Sequence, residues 1–312
     1  MIRHARGEKG FALVLTLVIT ALMVAVTSDL VYQAYVDISL SRGFRDGQQA
    51  SLLAESGVIG GTKLLQLALS NQEYSSLSDA WAAPQKMDDE TGTIEVSISD
   101  ESGKINLNGL ISPNGEFEPF TLSALKRLGA RLEIPDEAWS ALADWLDSND
   151  QTRSGGAETP YYAALKIPYK ARNGALVSVA ELTLIKGFTP ALVAKLRPFV
   201  TTHAGQPNAP FSQVNINTAP KEVIAALDER IDDRLAERIM EERRLNPFKN
   251  TGELSRVPGF DTIATGLSGR INVKGNLFRI VSLARVKESG RKVDVVVRQS
   301  GTTQDVLSWQ EY

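Results

Sequence analysis

The hydrophobic pattern begins with a polar stretch, MIRHARGEKG over residues 1–10, followed by an apolar run over 11–26 broken only by Thr16 and Thr20. As a helix the run is about 24 Å long, against a hydrocarbon core of about 30 Å. With Thr27 and Ser28 it just spans before Asp29. Arg3, Arg6 and Lys9, against Glu8, predict that the N-terminus stays cytoplasmic and the rest is exported. From 30 to about 71 there is no proline, and apolar residues recur at Val31, Tyr35, Ile38, Leu52, Leu53, Ile59, Leu64, Leu65 and Leu67. That spacing predicts a long helix with one buried stripe.

Beyond a Ser-, Asp- and Pro-rich loop over 75–92, residues 93–99 (TIEVSIS) alternate as a half-buried strand does. From 122 to about 277 the patterns are mostly helical, with short polar loops. Strand patterns return at 277–286, 292–298 and 305–309, with a turn at Glu288-Ser289-Gly290. Strand material therefore flanks a helical block. The expected architecture is α+β, with the long N-terminal helix packed on an antiparallel sheet and a large all-α domain inserted into that sheet. The expected divisions are a leader over 1–10, the transmembrane part of the helix over 11–28, the sheet domain over 29–110 and 276–312, and the inserted domain over 111–275.

Two echoes mark the insertion as one unit. Ile105-Asn106-Leu107-Asn108 recurs as Val214-Asn215-Ile216-Asn217, and 182–188 (LTLIKGF) recurs as 254–260 (LSRVPGF). The second pair resembles the turn of helix-hairpin-helix motifs, which in DNA-binding proteins presents backbone N–H groups to a phosphate. This raises a rival reading, a membrane-anchored DNA-binding protein of the competence type. Lys186, Lys195 and Arg256 lie near the turns, but Asp228, Glu229, Asp232, Asp233, Glu237, Glu241 and Glu242 crowd the approach to the second. Like charge repels phosphate, so a structural use is expected and no nucleic-acid partner.

Composition narrows the chemistry. The 312 residues are 43% hydrophobic and 23% charged with a formal charge of -3, a globular balance without a basic field. No cysteine occurs, and the two histidines, His4 and His203, lie outside any supporting motif. Thiolate sites and a His-based zinc site or triad are thereby disfavoured. No phosphate-binding loop, nucleophile elbow or H-E-x-x-H is present, and the acidic pairs Asp144/Asp147 and Asp147/Glu158 lack an aromatic sugar groove. The expectation is a protein that is not an enzyme.

Three readings compete for the N-terminus. A secretory signal would need small residues in an A-x-A-like pattern, which Ala21 and Ala25 meet poorly. A plain signal anchor is the second. The third rests on the Gly10-Phe11 junction, which resembles a type IV prepilin cleavage site, where a prepilin peptidase removes the leader and methylates the new N-terminal residue, here Phe11. Residues 50–57 (ASLLAESG) likewise resemble the A-x-x-L-A-E-x-G segment of pilin-like proteins. Most pilins carry Glu at the fifth mature position, where this chain has Leu15. A carboxylate in hydrocarbon is costly and in pilins is paired with the N-terminal amine of the subunit above. A tip subunit has none above it.

The richest polar constellation is 144–162 (DWLDSNDQTRSGGAETPYY). Counting Asp147 as position 1, Asn149 is 3, Gln151 is 5 and Glu158 is 12, where an EF-hand places its bidentate Glu, but Thr152 stands where an EF-hand needs Gly. A solvated acidic loop is the competing reading.

In order along the chain, the prepilin-like start, ASLLAESG, DESGKINLN, D-W-x-D to Y-Y, V-N-I-N-T-A and the closing Leu307-Ser308-Trp309 are together similar to the K-type minor pseudopilins of type II secretion. The K type is known to lack the membrane Glu. The resemblance implies a tip subunit that nucleates a pseudopilus with the I- and J-type minor pseudopilins. It also implies processing by prepilin peptidase at Gly10 and Phe11, and a single-pass inner-membrane location with the main domain in the periplasm. The partner face expected on the helix is the apolar stripe from Val31 to Leu67, and the tip is expected to meet the secretin or exported cargo. It further implies structural Ca2+, with the ligands expected among Asp147, Asn149, Asp150, Gln151 and Glu158. Mg2+ suits the loop less, since it takes fewer protein ligands and keeps its water.

Overall fold

The computed structural model describes residues 7–205, 213–301 and 303–312. Helix α1 (Gly7–Leu69) is 63 residues long, about 95 Å at 1.5 Å per residue. Its apolar part is long enough to cross a membrane by length and composition, and the rest of the chain buries none of its most apolar window. From Ala50 onward the helix lies across a sheet. The face it buries is built largely of small residues: Ala50, Ala54, Gly57, Val58 and Gly61, with Leu65 and Leu69 at the far end.

The close approach of the strands explains that choice. A Cβ at Gly57 would lie 2.2 Å from Ser282 Oγ and 2.8 Å from Ile94 Cγ2, and one at Gly61 would lie 3.0 Å from Ile280 and Val96. The expected buried stripe is corrected here. Val31, Tyr35, Ile38, Leu52, Ile59 and Leu67 are all exposed, on the opposite side of the helix at 100° per residue. Bulky apolar side chains have no room where helix and sheet backbones nearly touch at Gly57 and Gly61, so Leu52 and Ile59 line the outer face. Of the expected stripe, Leu65 is buried, and Leu53 and Leu64 pack against the sheet core.

Strands β1 (Gln85–Asp89) and β2 (Gly92–Asp100) form an antiparallel hairpin. Asp89 Oδ1 closes the turn by accepting from Thr91 N–H at 2.7 Å. β1 falls in the stretch expected to be loop. All five of its residues are exposed, so no alternation marks it, and pairing with β2 alone holds it as an edge. The chain leaves the sheet after Asp100. In the excursion β3 (Ile105–Asn106) pairs in parallel with β4 (Val200–Thr201), and β5 (Val214–Asn215) with β6 (Ile271–Asn272). It returns as β7 (Leu277–Val286), β8 (Ser289–Ser300) and β9 (Thr303–Glu311), giving an antiparallel sheet ordered β1-β2-β7-β8-β9. Its core against α1 gathers Ala54, Val58, Leu65, Trp81, Val96, Phe278, Ile280, Val293 and Val295.

The insertion has a second core and is built twice. Its first half runs from β3 through α2 (Pro119–Leu132), α3 (Asp136–Leu146), α4 (Thr159–Ala163), a 3-10 turn (Val179–Leu184) and α5 (Pro190–Leu196) to β4. The second runs from β5 through α6 (Lys221–Leu227), α7 (Asp233–Leu245), a 3-10 turn (Thr251–Arg256) and α8 (Asp261–Ala264) to β6. The repeated Asn pairs do the same work in both. Asn106 and Asn215 each accept from the backbone N–H of the second Asn, at 3.1 and 3.0 Å. The Asn108 amide donates to Leu176 O and Thr202 O and accepts from Leu176 N–H. The Asn217 amide donates to Phe248 O and Val273 O and accepts from Phe248 N–H. Each clamp joins the segment before a 3-10 turn to the end of a short strand, satisfying backbone groups that no sheet reaches.

A buried hub joins the two cores. Asp100 Oδ2 accepts from Asn215 Nδ2 at 2.7 Å and from the Thr218 hydroxyl at 2.8 Å, while Oδ1 accepts from Ser102 N–H at 2.7 Å. Ser75 Oγ accepts from Gly275 N–H at 2.7 Å and Asn215 Nδ2 at 3.0 Å. A Cβ at Gly275 would lie 2.3 Å from Asp100 Oδ2. Ile105, Leu107 and Leu110 pack in the insertion's core, so the packing sets the join near Asp100, earlier than the sequence pattern set it. The insertion is attached beyond the C-terminal end of α1, where Ser75 N–H donates to Val273 O. The opposite end of the sheet, at Lys287, is tied to Asp46 at 2.9 Å.

Candidate functional site

Gly10 and Phe11 lie in the first turns of α1, where Phe11 is exposed and a Cβ at Gly10 would meet nothing within 4 Å. Residues 1–6 of the expected leader, with Arg3, His4 and Arg6, lie outside the described residues. Leu15 is on the exposed surface of the same helix.

The second candidate is a cluster of carboxylates at the C-terminal end of α3. Asp144 and Asp147, three residues apart at the helix end, and Glu158, just before α4, bring ligand oxygens within 4.8 Å of one another, and all three are buried. Glycine makes the approach possible: a Cβ at Gly156 would lie 1.9 Å from Asp144 Oδ2. Arg153 Nη1 donates to Asp144 Oδ1 at 2.8 Å and also to Asp147 Oδ2. Both oxygens of Glu158 are buried without a hydrogen-bond partner among the described residues. Burial, with the charges of Asp144, Asp147 and Asp150, pushes Glu158 up to about 7. Burial likewise raises Asp144, against the opposing bonds from Arg153.

With all three carboxylates ionised, the cluster and its single arginine carry two net negative charges in a site closed to solvent, and the donors are all hard oxygens. That set fits a divalent cation of the calcium class, which takes oxygen ligands in irregular geometry. Of the expected ligands, Asp147 and Glu158 are brought together, and Asp144, which the loop count passed over, joins them. Asn149, Asp150 and Gln151 are exposed. Asn149 Oδ1 accepts from Gln151 N–H at 2.7 Å and Asp150 Oδ1 from Asn173 Nδ2 at 3.2 Å, so these side chains stabilise the loop. The EF-hand count assumes ligands from one continuous loop, whereas two of the three clustered carboxylates come from a helix end. The i, i+3 spacing of Asp144 and Asp147, which puts both on one helix face, is the signal that finds Asp144.

The hairpin turns have structural partners. Gly187 and Gly259 both adopt positive φ, +89° and +88°, which explains their recurrence. In each turn the limb before glycine is a six-residue 3-10 helix. The nearby cations are engaged: Lys186 Nζ donates to Gly155 O and Gly156 O, Lys195 pairs with Glu133, and Arg256 pairs with Glu242 and Glu253.

Comparison with known proteins matches residues 103–205 and 214–274 to two family models, both described as type II secretion system (T2SS), protein K. These spans coincide with the two halves of the insertion. The chain is 32% identical over 270 residues to type II secretion system protein K of Pseudomonas aeruginosa, covering 80% of this chain and 77% of that protein. It is 27% identical to the protein of the same name from Aeromonas hydrophila, covering 93% of each. Among solved structures it resembles a chain of the GspK-GspI-GspJ complex from enterotoxigenic Escherichia coli, with a TM-score of 0.75 at 23% identity, covering 87% of this chain and 99% of that one. Nothing in these likenesses supports the competence-type DNA-binding reading.

Proposed function

From the premise that the chain belongs to the type II secretion system protein K family, we propose that this minor pseudopilin caps the pseudopilus tip and nucleates its assembly. The observation that carries the reading is the division of α1 into two unlike faces. Where the sheet covers the helix, its small-residue face is used up by the chain's own strands and the opposite face exposes Leu52, Ile59 and Leu67. The uncovered helix before the sheet continues that apolar line with Val31, Tyr35 and Ile38. An apolar stripe of that length takes another amphipathic helix. The partners that fit are the I- and J-type minor pseudopilins; a solved relative is titled as a GspK-GspI-GspJ complex.

Two further features support a tip position. The insertion is attached beyond the end of α1 distal to the apolar segment, where its bulk obstructs a subunit stacked above. Leu15 offers no carboxylate to a neighbour's amine. In this reading prepilin peptidase cleaves after Gly10 and methylates Phe11, the segment 11–28 anchors the chain in the inner membrane, and the globular part faces the periplasm. There the tip meets secretin or cargo, and it performs no catalysis. Ca2+ held by Asp144, Asp147 and Glu158 supplies charge neutralisation that fixes the 147–158 loop against α3. N-terminal sequencing of the membrane-extracted protein tests the reading. Methyl-Phe11 is expected; an intact Met1 in cells that contain the peptidase refutes it.

A further inference from the structure

The carboxylate cluster contains a cation of its own. Besides its bonds to Asp144 and Asp147, Arg153 donates through its backbone N–H to Asp144, at 3.3 and 3.2 Å from the two oxygens. From its far edge Nη2 donates to Gly115 O at 2.5 Å, and the guanidinium carbon lies 5.3 Å from the centre of the Phe117 ring. Those outer partners belong to a turn closed by the Ile111–Phe117 bridge. The arginine is thus gripped from both sides and leaves the Glu158 carboxylate without a hydrogen-bond partner among the described residues. Counting Asp147 as position 1, Arg153 falls at position 7, where an EF-hand supplies a backbone carbonyl. Here that carbonyl accepts from Gly156 N–H at 2.9 Å, and the side chain carries the positional role instead.

We propose that Arg153 is the built-in counter-charge of the cation site. It neutralises one of three buried carboxylates, so that a divalent ion, and not a trivalent one, balances the remainder. It also holds Asp144 and Asp147 side by side when no ion is present. The inference rests on the cation reading above and deepens it, because it says what sets the affinity and the charge preference of the site.

The test measures dissociation constants for calcium and for terbium(III) with the detergent-solubilised full chain as wild type, Arg153→Gln and Arg153→Lys, by calorimetry and tryptophan-sensitised terbium luminescence. One unit charge about 5 Å from a divalent ion, even at the dielectric constant of water, changes binding about tenfold. Arg153→Gln is therefore expected to bind calcium about tenfold or more tightly, and Arg153→Lys to stay within about threefold of wild type. The preference for terbium over calcium is expected to rise about threefold or more in Arg153→Gln. That ratio stays informative if the metal-free variant is unfolded, since the folding cost cancels between the two ions. Equal calcium constants, or an unchanged ratio, in wild type and Arg153→Gln overturn the inference while leaving the cation site standing. No binding of either ion by wild type overturns both.

Discussion

Asp100 ties the sheet to the insertion at the cost of burying a carboxylate. Burial pushes its pKa up to about 6 from an ordinary 3.8, against the hydrogen bonds from Asn215, Thr218 and Ser102 that favour the anion. Between those two pH values the unfolded chain has lost the proton and the folded chain has kept it. The folded state therefore binds more protons, and its stability falls as pH rises through the window. Above about 6 both states are ionised and the loss is complete. At 1.36 kcal/mol per pKa unit, the loss is about 3 kcal/mol. The perturbation that isolates it is Asp100→Asn, whose amide does not titrate. Near pH 3.5 the protonated acid and the amide have nearly the same shape, so the difference between the chains is only the cost of a donor facing Ser102 N–H. Near pH 7 wild type is expected to have lost about 3 kcal/mol relative to the variant. Urea unfolding of the solubilised chains at several pH values, followed by circular dichroism, reads the difference directly. A wild-type-minus-variant difference that does not change between pH 3.5 and 7 refutes the argument.

Three other outcomes follow from the same structure. Asn217→Ala strands the buried Phe248 N–H and two carbonyls, and is expected to cost about 2–4 kcal/mol in urea unfolding; a loss under about 0.5 kcal/mol contradicts the clamp. Leu15→Glu is expected to leave co-purification with the other minor pseudopilins unchanged or slightly reduced; a marked gain in incorporation contradicts the tip position. Chelation is expected to lower the melting temperature of the chain, because an ion at 100 times its dissociation constant adds about 2.7 kcal/mol, and Glu158→Gln is expected to abolish that response. Identical melting curves with calcium and with chelator, in protein shown to be metal-free, leave only the solvated-loop reading.

What the sequence determined by itself is whatever depends on neighbours along the chain. The apolar run over 11–26, the proline-free helix after it and the alternation of the long strands were legible because local periodicity reports which side of an element meets water. The paired Asn motifs and the two glycine turns were legible as repeats for the same reason. Only the tertiary structure decided what those features are for. The outward turn of Leu52 and Ile59 follows from a sheet that approaches Gly57 and Gly61 too closely to admit bulk. Val31, Tyr35 and Ile38 are exposed because they precede the part of the helix that the sheet covers. β1 carries no pattern because pairing, not burial, holds it. Asp144 gathers with Asp147 and Glu158, while Asn149, Asp150 and Gln151 stay exposed, because the carboxylate cluster closes through a helix end, a glycine pair and an arginine pinned by a distant turn. Spacing along a loop measures contour; a cation responds to distance and charge in space, and those are set by packing between segments far apart in the chain.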